Sequence, residues 1–260
     1  MASRVGLRGI ALGYLALLLL LPVAVVLYRT FEPGVGAVWD SVTTPAAISA
    51  FWLTMTLAAI AVPLNTVLGV LTALVLVRGR FRGKALMEAV LDLPFAISPV
   101  VVGLSLVLLF GRDGWIHAPF QVIFSLPGMV LATLIVSLPF VAREVAPVLR
   151  EVGQEQEQAA ATLGASRWQA FRRITLPAIR YGVAYGVVLS TARSIGEYGA
   201  VSVVSGHVAG ETTSMTLLVE QRFANFDLAG AYAASAVLAI IATAVLLVMT
   251  RLRPRDQGAP

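Results

Sequence analysis

Six long apolar runs separated by charged segments constrain this chain more than any other feature. They are Gly9–Leu27, Phe51–Val77, Leu86–Phe110, Phe120–Val141, Tyr181–Val204 and Ala229–Met249. Each supplies about the 20 residues that a helix needs to cross bilayer hydrocarbon. Backbone in lipid must satisfy its own hydrogen bonds, so runs of this length fold as spanning helices. Hydrophobic residues make up 58% of the 260 positions and charged residues 13%, about half the charge of a soluble domain. The expectation is an all-α membrane protein with six transmembrane helices and membrane lipid around it. It forms one domain over residues 1–260, with no linker or internal repeat. The first run follows Arg4 and Arg8 and is not followed by a small-x-small cleavage site, which reads as an uncleaved anchor.

Charge gives the orientation. Arg4 and Arg8, Arg78 to Lys84, Arg143 to Arg180, and Arg251, Arg253 and Arg255 place fifteen of the nineteen basic residues on one side. Arg29, Arg112 and Arg222 fall on the other, and Arg193 lies within a run. The positive-inside rule makes the first side cytoplasmic, with both termini on it. The formal net charge is +5. The basic residues track the ends of apolar runs, so the balance reflects membrane topology and not nucleic-acid binding. Zero cysteines exclude a disulfide framework, a thiolate zinc site and a cysteine nucleophile. Two histidines, His117 and His207, and no His-Glu-x-x-His leave an intramembrane enzyme little to work with.

Two runs are interrupted. The third contains Asp92-Leu93-Pro94-Phe95-Ala96-Ile97-Ser98-Pro99. Each proline removes a helix donor, and freed backbone is tolerated only where protein or water covers it; a packing kink and a bend lining a pathway both fit. Pro63 and Asn65 suggest a milder case in the second run. The fifth carries Gly182, Gly186, Ser190, Thr191, Ser194, Gly196, Gly199, Ser202 and Ser205, too polar for lipid and suited to close helix approach. Arg193 and Glu197 are four apart and share a helix face. They read either as an internal salt bridge or as positive potential for a passing dianion, with Glu197 preventing a trap. Glu88 and Asp92 repeat that spacing and read as a structural or interface pair. In the polar stretch after Ser205, Thr213 or Ser214 is placed to cap a short helix through Met215, Leu218 and Phe223; His207 reads as a surface residue.

The loop of about 143–180 is the most charged segment. Gln154 to Leu163 is rich in helix formers, with Glu155 and Glu157 in the first turn. Gly164 is placed for a left-handed cap. Ser166 can cap a second helix through Trp168, Phe171 and Ile174, which Pro177 should stop. Ala159, Ala160 and Ala161 leave a slim surface that could enter a groove, although an ordinary solvated hairpin has the same pattern.

That loop resembles the ATPase-docking loop of ABC-importer permeases: Glu-Ala-Ala, three residues, Gly, nine residues, Ile-x-Leu-Pro. Gln158, Ala159, Ala160, Gly164, Ile174, Leu176 and Pro177 occupy the pattern positions. Gln158 replaces the pattern's glutamate, with Glu157 one step off register. Further matches are Phe51-Trp52-Leu53-Thr54, Leu91 to Val101, Leu126-Pro127-Gly128-Met129-Val130-Leu131, Ala192 to Gly206 and Gly210-Glu211-Thr212-Thr213. These resemble sulfate/thiosulfate permeases, the W-type of the two membrane subunits. The resemblance implies a type I ABC importer permease (MetI-like) fold. The implied partners are a second homologous permease subunit, a dimeric ABC ATPase holding ATP and magnesium, and an extracytoplasmic sulfate-binding protein. This chain would hold no cofactor or metal and catalyse nothing. The implied pathway or gate residues are Ser98, Pro99, Arg193, Ser194, Glu197, Ser202 and Ser205, with the stretch after Ser205 near the binding protein and outer gate. A molybdate or tungstate permease shares the loop and a tetrahedral oxyanion; a passive channel would differ by ignoring ATP.

Overall fold

The computed structural model describes residues 2–252. Arg253 and Arg255 lie outside the described residues, as do the side chains of Arg4, Arg8 and Arg251. The described chain is helical with irregular connections. In order, the helices are α1 (Ala2–Phe31), α2 (Val35–Val42), α3 (Pro45–Arg78), α4 (Lys84–Ala96), α5 (Pro99–Phe110), α6 (Leu126–Val152), α7 (Glu155–Thr162) and α8 (Arg167–Ala170). A π-helical segment, Phe171–Thr175, leads into α9 (Leu176–Ile195), followed by α10 (Gly199–Val204), α11 (Met215–Ala224) and α12 (Leu228–Leu252).

The core is the three-helix packing of α3, α6 and α9. α3 starts under Thr44, whose hydroxyl accepts from the Ala47 amide at 3.3 Å, with Pro45 in the first turn. Glycines bring the helices together: a Cβ built on Gly69 of α3 would lie 2.6 Å from the Val141 Cβ, and one on Gly186 of α9 would lie 2.8 Å from the Val141 Cα. α6 is therefore gripped at one level from both sides, the close packing that small residues permit in a membrane. One apolar cluster, with Val70, Val145, Leu149 and Ile179, fills the end nearest Arg78. Another joins Leu57, Leu106, Met129, Val204 and Leu217 toward the opposite end. α12 packs on α9 and α11, and α1 lies against α12.

Among the described residues, four helices are long and apolar enough to cross a membrane, at Gly13–Phe31, Pro45–Arg78, Leu126–Val152 and Leu228–Val248. Two of the six expected runs behave otherwise. Leu86–Phe110 is not one helix but α4 and α5, set at 110°; counted as one span, the pair makes five. Pro99 causes this bend, because a residue before proline is driven to extended backbone. Ser98 sits at φ −58°, ψ 135°, and Pro99 opens α5. Pro94, by contrast, lies inside α4. Tyr181–Val204 is likewise divided, into α9 and α10, with a break at Gly196–Tyr198. α9 buries Gly182, Gly186, Ser190 and Ser194, so its polar residues face protein and the sequence lacks the uniform apolarity of a lipid-facing helix.

The 143–180 segment is helical for most of its length. α6 continues to Val152, where Gly153 turns the chain at φ 70°, and α9 already begins at Leu176. The hairpin proper spans 153–175.

Candidate functional site

The hairpin is built by local rules. α7 closes with Gly164 at φ 84°. The Ala165 amide reaches the Ala160 carbonyl and the Gly164 amide the Ala161 carbonyl, both at 3.0 Å, so the last carbonyls of α7 are satisfied in a left-handed cap. Ser166 then opens α8 with a capping box. Its hydroxyl accepts from the Gln169 amide at 3.3 Å and its amide donates to Gln169 Oε1 at 2.8 Å. Pro177 does not stop this helix. The π segment carries the backbone into α9, with the Leu176 amide bonded to the Phe171 carbonyl. The wider π turn gives the proline ring room that an α turn would deny it at the carbonyl four residues back.

At the hairpin surface, Gln158, Ala159, Gly164, Leu176 and Pro177 are exposed, and Ala160 and Ile174 are half-buried. Leu163 is 88% exposed, and the exposed Trp168 stacks on Phe171 with ring centroids 5.5 Å apart. The polar-flanked hairpin thus shows apolar side chains to its surroundings outside the apolar runs. Behind it lies a cleft of about 570 Å³ lined by Leu74, Arg78, Gln154, Glu157, Phe171 and Thr175, among others. There Glu157 Oε1 accepts from Arg78 Nη2 at 3.0 Å and from Thr175 Oγ1 at 2.8 Å. Sequence reasoning missed this trio. In the sequence Arg78 reads only as a topogenic charge, and a tertiary ion pair across 79 positions leaves no periodic signal.

The second constellation is where the two broken helices meet. A Cβ on Gly199 would lie 3.0 Å from the Pro99 Cβ, and one on Gly103 would lie 2.8 Å from the Ala200 carbonyl oxygen. The break before α5 and the break before α10 therefore abut. Arg193 and Glu197 form the expected ion pair, Nη1 to Oε2 at 2.5 Å, with Glu197 1% and Arg193 28% exposed at the side chain. Glu197 Oε1 also accepts from the Ala200 amide at 2.8 Å, so one carboxylate starts α10 and holds the arginine. Of the serines, Ser98 is exposed at the bend and Ser202 is half-buried, donating to the Gly199 carbonyl. Ser194 and Ser205 are buried within this chain. Ser194 Oγ lies 3.3 Å from Ser137 Oγ, and Ser205 donates to the Thr212 carbonyl at 2.6 Å. Ser137 also takes a 2.7 Å bond from the fully buried Asn65 amide, making a polar junction of α3, α6 and α9; α3 itself runs unbroken through Pro63 and Asn65, so the milder interruption expected there is absent.

Glu88 and Asp92 act as a structural pair between helices. Both reach α6: Asp92 to Arg143, with Nε at 2.9 Å and Nη2 at 2.5 Å, and Glu88 to Arg150 at 3.7 Å. Arg143 also lies over the Phe95 ring. α4 buries no side chain fully; it meets α6 through these ion pairs and the edge contact of Phe95 with Phe140. Ser214 is the residue that caps α11, and His207 is exposed, with φ 53°.

Residues 65–255 match the model of the binding-protein-dependent transport system inner membrane component family. A Synechocystis protein named sulfate transport system permease protein CysW is 51% identical over 254 residues, covering 96% of this chain and 92% of that protein. One from Escherichia coli named sulfate transport system permease protein CysT is 38% identical, covering 93% and 88%. The fold matches a chain from the crystal structure of a bacterial ABC transporter that imports alginate, with TM-score 0.79, 16% identity and coverage of 98% and 96%. Its MetI-like helical architecture, its apolar helices and these relatives agree: the chain is a multi-pass inner-membrane transport component and not an enzyme, and it belongs to the binding-protein-dependent transport system inner membrane component family.

Proposed function

We propose that this chain is a membrane-spanning permease subunit of an ATP-driven importer of sulfate or thiosulfate. The observation that carries the reading is its near full-length similarity to a protein named sulfate transport system permease CysW. Similarity to CysT as well fits a pathway formed between this chain and a second, homologous permease. An extracytoplasmic sulfate-binding protein delivers the anion, and a dimeric ATPase supplies ATP and magnesium, so this chain needs no cofactor. In this reading the hairpin end and both termini are cytoplasmic, which the basic residues between the spans support. The docking contacts are Gln158, Ala159, Ala160, Gly164, Ile174, Leu176 and Pro177, with Leu163 and Trp168 as apolar anchors. Pairing the buried Glu197 with Arg193 limits the positive charge offered to an anion, which suits transit better than tight binding.

The test is radiolabelled sulfate uptake by the four-component complex in proteoliposomes. ATP-dependent uptake that excess molybdate leaves intact is the expected result. Molybdate uptake without competition by sulfate would overturn the substrate, and flux that ignores ATP would overturn the importer.

A further inference from the structure

The hairpin is fastened to the membrane core at a charged point set apart from its docking face. α7 packs against α8 and the π segment, while Glu157 reaches across the cleft to the last turn of α3. Its Oε1 gathers Arg78 Nη2 from α3 and the Thr175 hydroxyl from the π segment, so one carboxylate oxygen joins three elements. The ion pair is sheltered, with side chains 18% and 26% exposed, and Thr175 is buried. Sheltered pairs are screened less than surface ones, and removing one member strands the other's charge. Arg78 Nε is also buried without a hydrogen-bond partner among the described residues, so the Glu157 contact is what compensates this guanidinium. Position 157 lies about 100° around the helix from 158. The acidic charge here therefore turns inward, while the neutral Gln158 faces out.

We infer that Glu157 is a positioning residue that latches the hairpin to α3. The chain enters the hairpin through Gly153 at φ 70° and leaves it through the π segment, two places where backbone alone would let it swing. With the latch closed, a displacement of the hairpin moves α3 directly, and α3 carries α6, against which it packs along its length. With the latch open, the same displacement is absorbed at Gly153. This role rests on the proposed reading that an ATPase grips the hairpin.

The test uses E157Q, R78Q and the exchange R78E/E157R, in the full complex for transport and in the permease alone for distances. Glutamine at 157 keeps an acceptor for Thr175 and removes only the charge. Two quantities are read: ATP hydrolysed per sulfate imported, and the spread of distances between spin labels on cysteines replacing Leu163 and Arg82. The chain has no native cysteine, and both positions are exposed. E157Q and R78Q each break a partly sheltered pair and should raise ATP hydrolysed per sulfate several-fold and broaden the label distances. The exchange should restore both toward the parent. Parent-like stoichiometry and distances in E157Q would overturn the latch, as would an exchange no better than the single variants. The label distances are read on the permease alone, so they decide the latch even if the parent complex shows no ATP-dependent uptake, an outcome that would overturn the proposed function instead.

Discussion

Gly164 and Glu197 carry obligations that their neighbours cannot share. Gly164 holds φ 84° with nothing within 4 Å of a Cβ built on it, so a larger residue there meets backbone strain and no clash. A β-branched side chain in the left-handed region costs about 1–2 kcal/mol. Gly164→Val should loosen the α7 cap and uncouple uptake from ATP hydrolysis, with membrane insertion unchanged; normal uptake at normal ATP cost would show that the cap transmits nothing. Glu197 is the opposite case, nearly all interaction and little local conformation. It holds Arg193 at 2.5 Å and starts α10 through the Ala200 amide. Glu197→Ala strands a partly buried guanidinium, and breaking a buried pair costs about 3–5 kcal/mol; the arginine's partial exposure places the loss at the low end. Thermal unfolding in detergent should show it, and Arg193→Met/Glu197→Met should recover part of it. An unchanged midpoint in Glu197→Ala would mean that the pair does not stabilise the solubilised protein.

Between elements, stability rests on glycine contacts, and these can be ranked by what a methyl group would meet. At Gly186 it would lie 2.8 Å from the Val141 Cα, a backbone atom that cannot turn aside; at Gly196 the nearest atom is the Ala192 carbonyl oxygen at 3.4 Å. Gly186→Val should therefore lower thermal stability by at least the roughly 1–3 kcal/mol of an overpacked core, whereas Gly196→Ala should be nearly silent. Equal effects would mean that α6 and α9 are not in register as described. The same contacts show where sequence stops being legible. The caps at Gly164, Ser166 and Ser214 were readable because capping is a matter of neighbours within four residues. The bend at Ser98 was signalled by Pro99, although Pro94 competes for the role on equal terms and only the three-dimensional course separates them. The effect of Pro177 was misjudged for a related reason: whether a proline ends a helix depends on whether the turn before it can widen, and nothing in Phe171–Thr175 announces a π turn. The Arg78–Glu157, Arg143–Asp92 and Arg150–Glu88 pairs join residues 51 or more positions apart, a distance over which charge pattern specifies no partner.

At the scale of the molecule, the two ends are chemically unlike, and this asymmetry ties the fold to its proposed task. One end carries the hairpin, the Arg80–Lys84 turn and the α4–α6 ion pairs. The other gathers α2, the 111–125 connection, the 205–214 stretch and α11, with Trp115 85% and Phe226 89% exposed. Aromatic side chains suit either membrane–water boundary and name no side, whereas the basic turn suits the cytoplasmic side, so the orientation rests on the basic residues. The absence of native cysteine makes that orientation directly measurable. Single cysteines replacing Trp115, Phe226 or Leu163 can be exposed in intact cells to a membrane-impermeant thiol reagent. The first two should react from outside, and the third only after the cells are opened. Each of these side chains projects freely from its own chain, so failure to react reports the membrane and not burial within the subunit; a partner subunit seated on one position is revealed by labelling of the permease expressed alone. Labelling of Leu163→Cys from outside would place the hairpin where no ATPase can reach it, and the permease reading would lose its engine while the packing of α3, α6 and α9 stood unchanged.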